Sequence, residues 1–149
     1  MMGIATLVIV DQLTKAWAAS NLKGQASIMI IKEFFYLSYA ENSGAAWSIL
    51  QGQTQFFIVV GILAIVVFCY WYIKTDRALG QFSLVLIISG TIGNLIDRIL
   101  YSGVRDFLDF YIFGYDFPIF NVADSCLTIG VILMLLDIVI EEKMWLPKK

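Results

Sequence analysis

The sequence has no histidine among its 149 residues, few charged side chains and no basic tract. Without histidine, the chain cannot form a Ser-His-Asp triad, a Cys-His pair or an HExxH zinc site. Any acid or base in this protein must therefore be Asp, Glu, Lys, Tyr or Cys. The net charge of -2 and the missing basic tract also argue against nucleic acid as a partner.

Cysteine is scarce as well. Cys69 and Cys126 lie in apolar runs without CxxC spacing, so we interpret them as packing residues with no redox role. Charged residues make up only 15% of the chain and hydrophobic residues 60%, with a mean hydropathy of +0.81. This composition is too apolar for a soluble domain of this size. The sequence therefore predicts an integral membrane protein that is mainly α-helical.

Four stretches approach the roughly 20 apolar residues that a helix needs to cross a bilayer. They are residues 1–19, 55–73, 82–101 and 120–140. The first resembles a signal peptide, but it lacks a positively charged start and Asp11 interrupts its apolar stretch, so we interpret it as a span. We expect one polytopic membrane domain over residues 1–149, with both termini on the same side.

The distribution of Lys and Arg favours cytoplasmic termini, because basic residues concentrate in the short second loop and at the C-terminus. Loops 20–54 and 102–119 then lie on the outer face. The first of these is rich in β-branched and aromatic residues, which predicts a small β element at about residues 25–48. A hydrophobic hairpin that only caps the bundle is the alternative. Residues 45–51 are expected to form a short interfacial helix.

Polar residues inside the spans follow helical spacing. Gly90, Asn94 and Arg98 are four residues apart, so they share one face of the third span and are expected to face the protein interior. A purely structural role, with the amide joining two helices and the arginine reaching the headgroups, is the alternative. Asp11 and Lys15 have the spacing and order of a favourable ion pair, either as a structural salt bridge or in contact with a substrate.

Asp106 and Asp124 each lie where an apolar run meets water, and this pair is the main functional signal. Carboxylates beside hydrocarbon are expensive, and two that converge can share a proton, as an aspartyl hydrolase requires. Asn121 as a helix N-cap would explain Asp124 alone, but it leaves Asp106 unexplained.

A small carrier with an intramembrane polar path and a noncatalytic assembly subunit are the alternative functions. A carrier predicts polar groups through the whole bilayer depth. Here they cluster toward one side, and Asp11 is the only deep exception. An assembly subunit would not explain two convergent aspartates.

Five segments in this order resemble the lipoprotein signal peptidases (signal peptidase II): DQLTK at 11–15, NSGAAW at 42–47, GNLIDR at 93–98, VRDF at 104–107 and FNVAD at 120–124. The resemblance implies an aspartyl endopeptidase of the bacterial cytoplasmic membrane, with four transmembrane helices and an extracytoplasmic β-cradle. Its substrates would be diacylglyceryl-modified prolipoproteins, cleaved just before the lipidated cysteine at the extracytoplasmic face. No metal or organic cofactor is implied, and we expect a monomer surrounded by membrane lipids.

Carried over position by position, Asp106 and Asp124 match the catalytic aspartates of that family. The matching supporting positions are Asp11, Lys15, Asn42, Gly44, Asn94, Arg98, Asn121 and Ala123. Arg105 departs from the pattern, because the family commonly has an apolar residue there, and we expect it to lower the pKa of Asp106. Which aspartate carries the shared proton stays open, because a coupled pair titrates as a unit.

Overall fold

The computed structural model describes residues 2–44 and 49–145. Within these ranges it has four long helices, close to the four predicted stretches: α1 Met2–Asn21, α2 Thr54–Lys74, α3 Ala78–Tyr101 and α4 Val122–Trp145. Of the helices in this part of the chain, three are long and apolar enough to cross a membrane, namely α2, α3 and the Val122–Glu141 part of α4. α1 is not among them, because Asp11 and Lys15 interrupt its apolar stretch.

α3 lies at the centre and packs against the other three helices. Two glycines allow its close approach to α4. A Cβ added at Gly90 would collide with the backbone carbonyl of Ala123, and one added at Gly130 would lie 2.7 Å from the Ile87 side chain. Small residues at such crossings are typical of membrane bundles. α2, in contrast, buries none of its residues, as expected of an apolar helix whose solvent is lipid.

The polar end of the bundle carries a four-stranded antiparallel sheet in the order β1-β2-β3-β4. Its strands are β1 Ile28–Ile31, β2 Phe35–Asn42, β3 Val104–Ile112 and β4 Tyr115–Asp116. The β element predicted for the first long loop is therefore present as β1 and β2. Of the predicted interfacial helix at 45–51, residues 45–48 lie outside the described residues and the rest forms a turn.

The second outer loop, residues 102–119, also contains strands, which the sequence does not predict: β3 and β4 occupy most of this segment. The β-branched and aromatic residues of β3 favour a strand, and β2 provides its partner. Ala40 pairs with Asp106 in this ladder, after a bulge in β2. The sheet thus joins the two long loops and determines where Asp106 lies.

A short turn of two residues, Ser102 and Gly103, connects α3 to β3. Ser102 ends the helix in the left-handed conformation, with φ of 61°, and its backbone N–H donates to the carbonyl of Arg98. On the other side of β3, Phe107 packs against Ala18 and Leu22 at the end of α1. Because successive side chains of a strand alternate between faces, Asp106 points away from this small core.

Candidate active site

Asp106 of β3 and Asp124 of the first turn of α4 line one cavity of about 620 Å³. Asn121 bridges the two carboxylates: its Nδ2 donates to Asp106 Oδ1 over 2.7 Å, and its backbone N donates to Asp124 Oδ2 over 3.2 Å. The structure therefore brings together the pair predicted from the sequence. In the described part of the chain, no group of three or more Cys, Asp or Glu side chains is arranged to hold a metal ion.

Asn121 is also the residue that starts α4. The backbone N of Asp124 donates to Asn121 Oδ1 over 2.9 Å, so the two side chains cap each other's backbone N–H groups. This reciprocal arrangement is that of a capping box, with Asp at the third helical position. The predicted helix cap is present, and it serves the same Asp124 that faces the cavity.

A chain of buried polar groups supports Asp124 from behind. Asn94 Nδ2 donates to Asp124 Oδ1 over 2.7 Å, and Asn94 Oδ1 accepts from Lys15 Nζ over 2.9 Å. Lys15 forms an ion pair with Asp11 at 2.9 Å, and Asp11 Oδ1 accepts the backbone N–H of Ala123 over 2.8 Å. Lys15 and Asp11 do not line the cavity. They join α1 to α3 and to the start of α4.

Three further predicted positions, Asn42, Gly44 and Arg98, also lie in the cavity wall. The Asn42 side chain hydrogen-bonds Asp106, and its Oδ1 accepts the backbone N–H of Gly44 over 2.9 Å. Arg98 donates to the carbonyl of Gly44 over 3.1 Å, and its guanidinium lies 5.0 Å from the ring centroid of Phe57. All ten predicted positions therefore lie in the cavity wall or directly behind it.

The environment of Asp106 is electrostatically unusual. Its side chain is almost completely buried, and this burial, reinforced by the negative charge of Asp124, raises the pKa of Asp106 to about 7. Hydrogen bonds from Asn121 and Asn42 and the charge of Lys15 oppose the rise. A carboxyl that titrates near neutral pH is suited to general acid catalysis.

The expectation that Arg105 lowers the pKa of Asp106 is wrong. Arg105 lies on the other face of β3, where its Nε and Nη2 donate to Asp97 over 3.0 and 2.8 Å. These hydrogen bonds raise the pKa of the Arg105 guanidinium. Gln12 completes the cluster by accepting from Arg105 and donating to Asp97, each over 3.1 Å.

Asp97 and Gln12 are two residues of this cluster that the sequence does not predict as part of the site. Asp97 is fully buried, and its Oδ2 also accepts the backbone N–H of Arg105 over 3.0 Å. This bond fixes the first residues of β3 relative to α3, immediately before Asp106. The sequence contains a signal for this role, because Asp97 is a second charged residue next to Arg98 in an apolar span. A charge in such a span needs a buried partner of opposite charge.

The raised pKa of Asp106 has a consequence for stability. Its folded value of about 7 exceeds its ordinary value of 3.8. The stability that this group contributes is therefore fully present below about pH 4 and is lost as the pH rises through 7. We expect Asp106→Asn to match the parent near pH 4 and to exceed its Tm by about 10 °C at pH 8, because a shift of about three pKa units corresponds to about 4 kcal/mol. Thermal unfolding in detergent across this pH range measures the effect.

The control for this prediction is Asp76→Asn, which changes an exposed carboxyl in the α2–α3 loop. Its Tm should follow that of the parent at every pH. A Tm difference for Asp106→Asn that stays constant from pH 4 to pH 8 would contradict a raised pKa at this position.

Two solved structures, each described as a bacterial membrane enzyme, have this fold. One, determined by the in meso method at 2.3 Å resolution, matches with a TM-score of 0.89 and 37% sequence identity, over 99% of this chain and 92% of that chain. The other, at 1.9 Å resolution, matches with a TM-score of 0.84 and 42% identity, over 92% and 90% of the two chains. The apolar helices and the similarity to these two structures indicate that the chain is a bacterial membrane enzyme.

The family follows from sequence comparison. The model of the family described as signal peptidase (SPase) II matches residues 3–140. The lipoprotein signal peptidase of Staphylococcus carnosus is 43% identical over 92% of this chain and 87% of that protein. The lipoprotein signal peptidase of Staphylococcus aureus is 45% identical over 87% and 81%. The chain belongs to the signal peptidase II family and is therefore a protease, not a carrier or an assembly subunit.

Proposed function

We propose that this protein is an aspartyl endopeptidase that removes the signal peptide from diacylglyceryl-modified prolipoproteins, cleaving just before the lipidated cysteine. One observation carries the proposal: Asp106 and Asp124, supplied by a strand and a helix, line one cavity and share Asn121 as a hydrogen-bond donor. The relatives are named lipoprotein signal peptidases, and the absence of histidine from the chain excludes the histidine-dependent peptidase sites and so favours hydrolysis by a carboxyl pair.

In the proposed mechanism Asp106 holds the shared proton and Asp124 is ionised. Asp124 takes a proton from a water molecule, which attacks the scissile carbonyl while the Asp106 carboxyl donates a hydrogen bond to the carbonyl oxygen. Asp124 then delivers the proton that it took from water to the leaving amine as the C–N bond breaks, and Asp106 keeps or regains its own proton, so both carboxyls return to their starting states. The pKa of about 7 at Asp106 supports this assignment, and so do the amide donors of Asn94 and Asn121 that stabilise a negative charge on Asp124.

The supporting residues divide into two groups in this proposal. Asn94, Lys15 and Asp11 keep the pair in position, because each is hydrogen-bonded to the next and all are buried. Asn42, Gly44 and Arg98 lie in the cavity wall, where they would contact the substrate backbone around the scissile bond.

We further propose that α1 is a fourth transmembrane helix and that the sheet is an extracytoplasmic β-cradle. The charged residues of α1 are turned inward, with Lys15 completely buried, whereas Ile9, Leu13 and Trp17 are exposed as a lipid-facing helix requires. The enzyme is then a monomeric multi-pass protein of the bacterial cytoplasmic membrane. Its active site faces outward, its termini face the cytoplasm and membrane lipids border the cavity.

Cysteine labelling tests this topology. In a background without Cys69 and Cys126, single cysteines at Gln25 or Ser102 should react with an impermeant thiol reagent in intact cells. A cysteine at Asp76 should react only after the membrane is opened. The opposite pattern would place the cavity on the cytoplasmic side and contradict the proposal.

Mass spectrometry of a purified reaction tests the function itself. A diacylglyceryl-modified prolipoprotein incubated with the enzyme should yield a free signal peptide and a mature chain that begins with the lipidated cysteine. The same protein without its lipid should be cleaved at least about 100-fold more slowly, because the acyl chains fix the depth of the scissile bond in the membrane. Equal cleavage of both forms would contradict recognition of the lipid, and cleavage at another bond would contradict the proposed substrate class.

A further inference from the structure

A second pocket of about 610 Å³ lies on the sheet, outside the helical bundle. Its wall comes from the segment after α1, from strands β2, β3 and β4, and from residues 117–119. Phe117, Pro118 and Ile119 also line the active-site cavity. The two pockets are therefore neighbours separated by one short segment of chain.

Asp109 is the most unusual residue of the second pocket. It lies on β3 three residues after Asp106 and is only 6% exposed. The Ser38 hydroxyl donates to its Oδ2 and in turn lies 2.7 Å from the Ser27 hydroxyl. Its Oδ1 is buried and has no hydrogen-bond partner within residues 2–44 and 49–145. A buried carboxylate oxygen without a donor is costly, so its position in a pocket wall points to a donor from outside the chain.

The charge of the second pocket is negative. Asp116 of β4 adds an exposed carboxylate, and none of the described residues in the pocket wall is Lys or Arg. The negative charges of Asp116 and Asp109 raise the pKa of the Tyr111 hydroxyl at the pocket wall. Lys23, which lies 5.6 Å from the ring centroid of Tyr39, is already paired with Glu41 at 2.6 Å. The pocket therefore favours a cation with hydrogen-bond donors.

The position of the two pockets indicates which part of a substrate reaches each one. The active-site cavity extends along α4 as far as Ile129, into the helix that crosses the membrane. None of the described residues in the wall of the second pocket is helical. A polypeptide that leaves the membrane through the active site would thus reach the second pocket with its water-facing part, which is the mature segment and not the signal peptide.

From this geometry we infer that the second pocket is a specificity subsite for a lysine or arginine side chain in the mature segment of the substrate. The inference rests on the proposed function. The cationic group donates to Asp109 and Asp116, with the rings of Tyr39 and Tyr111 beside it. Asp109 lies about 10 Å along β3 from Asp106 and on the opposite face of that strand, so the substrate reaches it by passing around residues 117–119, and the cation belongs at least about four residues after the scissile bond.

A lysine scan tests this subsite. Synthetic substrates carry a diacylglyceryl cysteine, an uncharged mature segment and one lysine placed in turn at about the first eight positions, with glutamine at the same position as the control. We expect kcat/KM to rise roughly 3- to 10-fold at one or two adjacent positions only. An equal rate at all positions would overturn the subsite, because it would indicate no local acceptor for the charge.

Variants of the pocket assign the effect to its residues. In Asp109→Asn combined with Asp116→Asn, the advantage of the lysine substrate over the glutamine substrate should disappear. Asp116→Lys alone changes an exposed residue and should abolish the preference for lysine over glutamine, because the new ammonium group makes the pocket neutral and can itself pair with Asp109. Asp76→Asn at the opposite end of the bundle should keep the preference. A lysine preference that survives both pocket variants would overturn the assignment.

The scan also separates the two proposals. If the enzyme cleaves the glutamine substrates before the lipidated cysteine but shows no lysine preference, the proposed function holds and the subsite is wrong. If the enzyme cleaves none of the lipidated substrates, the proposed function fails and the subsite fails with it.

Discussion

Asp106→Asn and Asp124→Asn should each lower the rate of prolipoprotein cleavage by about 10²- to 10⁴-fold, the usual contribution of general acid-base catalysis. Each substitution preserves the shape of the side chain and its hydrogen bond from Asn121, but removes the carboxyl that carries a proton between water and peptide. Single-turnover cleavage of a lipid-modified substrate in detergent measures the loss.

The double variant should be little slower than either single variant, because residues that act as a unit are not additive. Asp76→Asn makes the same chemical change at an exposed position of the α2–α3 loop and should cleave at the parental rate. If Asp124→Asn retained near-parental activity, Asp124 would be only a helix cap, and the carboxyl-pair mechanism would fail.

Lys15→Met should destabilise the protein by about 3–5 kcal/mol, because it leaves the buried carboxylate of Asp11 without its ion pair. Lys15 Nζ lies 2.9 Å from Asp11 and 3.9 Å from Asp97, and all three side chains are almost completely buried. The methionine fits the volume but supplies no charge. Thermal unfolding in detergent should show a Tm lower by about 10 °C.

Lys23→Met is the matched control. Lys23 also pairs with an acid, Glu41 at 2.6 Å, but both side chains are more than half exposed. Exposed pairs contribute at most about 1 kcal/mol, so the Tm of this variant should stay close to that of the parent. Equal losses for the two variants would contradict a buried charge network as the connection between α1 and the bundle.

The helical part of the site could be predicted from the sequence, because helical spacing places residues on a face without knowledge of the partner. This spacing predicts that Asn94 and Arg98 face the interior, and both line the cavity. Asn121 and Asp124 were recognised as a helix start, since capping depends on residues three positions apart. Local periodicity was sufficient in each case.

The strand part could not be predicted in the same way. The face that a strand residue occupies depends on its register with a distant strand, and β3 pairs with β2 across more than 60 residues of sequence. Adjacency in sequence therefore suggests an influence of Arg105 on Asp106, although alternation along β3 places the two side chains on opposite faces. The pKa of Asp106 likewise depends on burial created by other elements, which no local pattern reveals.

The left-handed residue Ser102 at the end of α3 couples the depth of Asp106 in the membrane to the position of that helix. Only Ser102 and Gly103 separate the end of α3 at Tyr101 from the start of β3, so the bilayer that positions α3 also positions Asp106. A thicker or thinner membrane shifts or tilts the helix, and Asp106 moves with it relative to the headgroups. In the proposed function the lipidated substrate is anchored in the same membrane, so we expect the thickness of the membrane to influence which bond comes opposite the carboxyl pair.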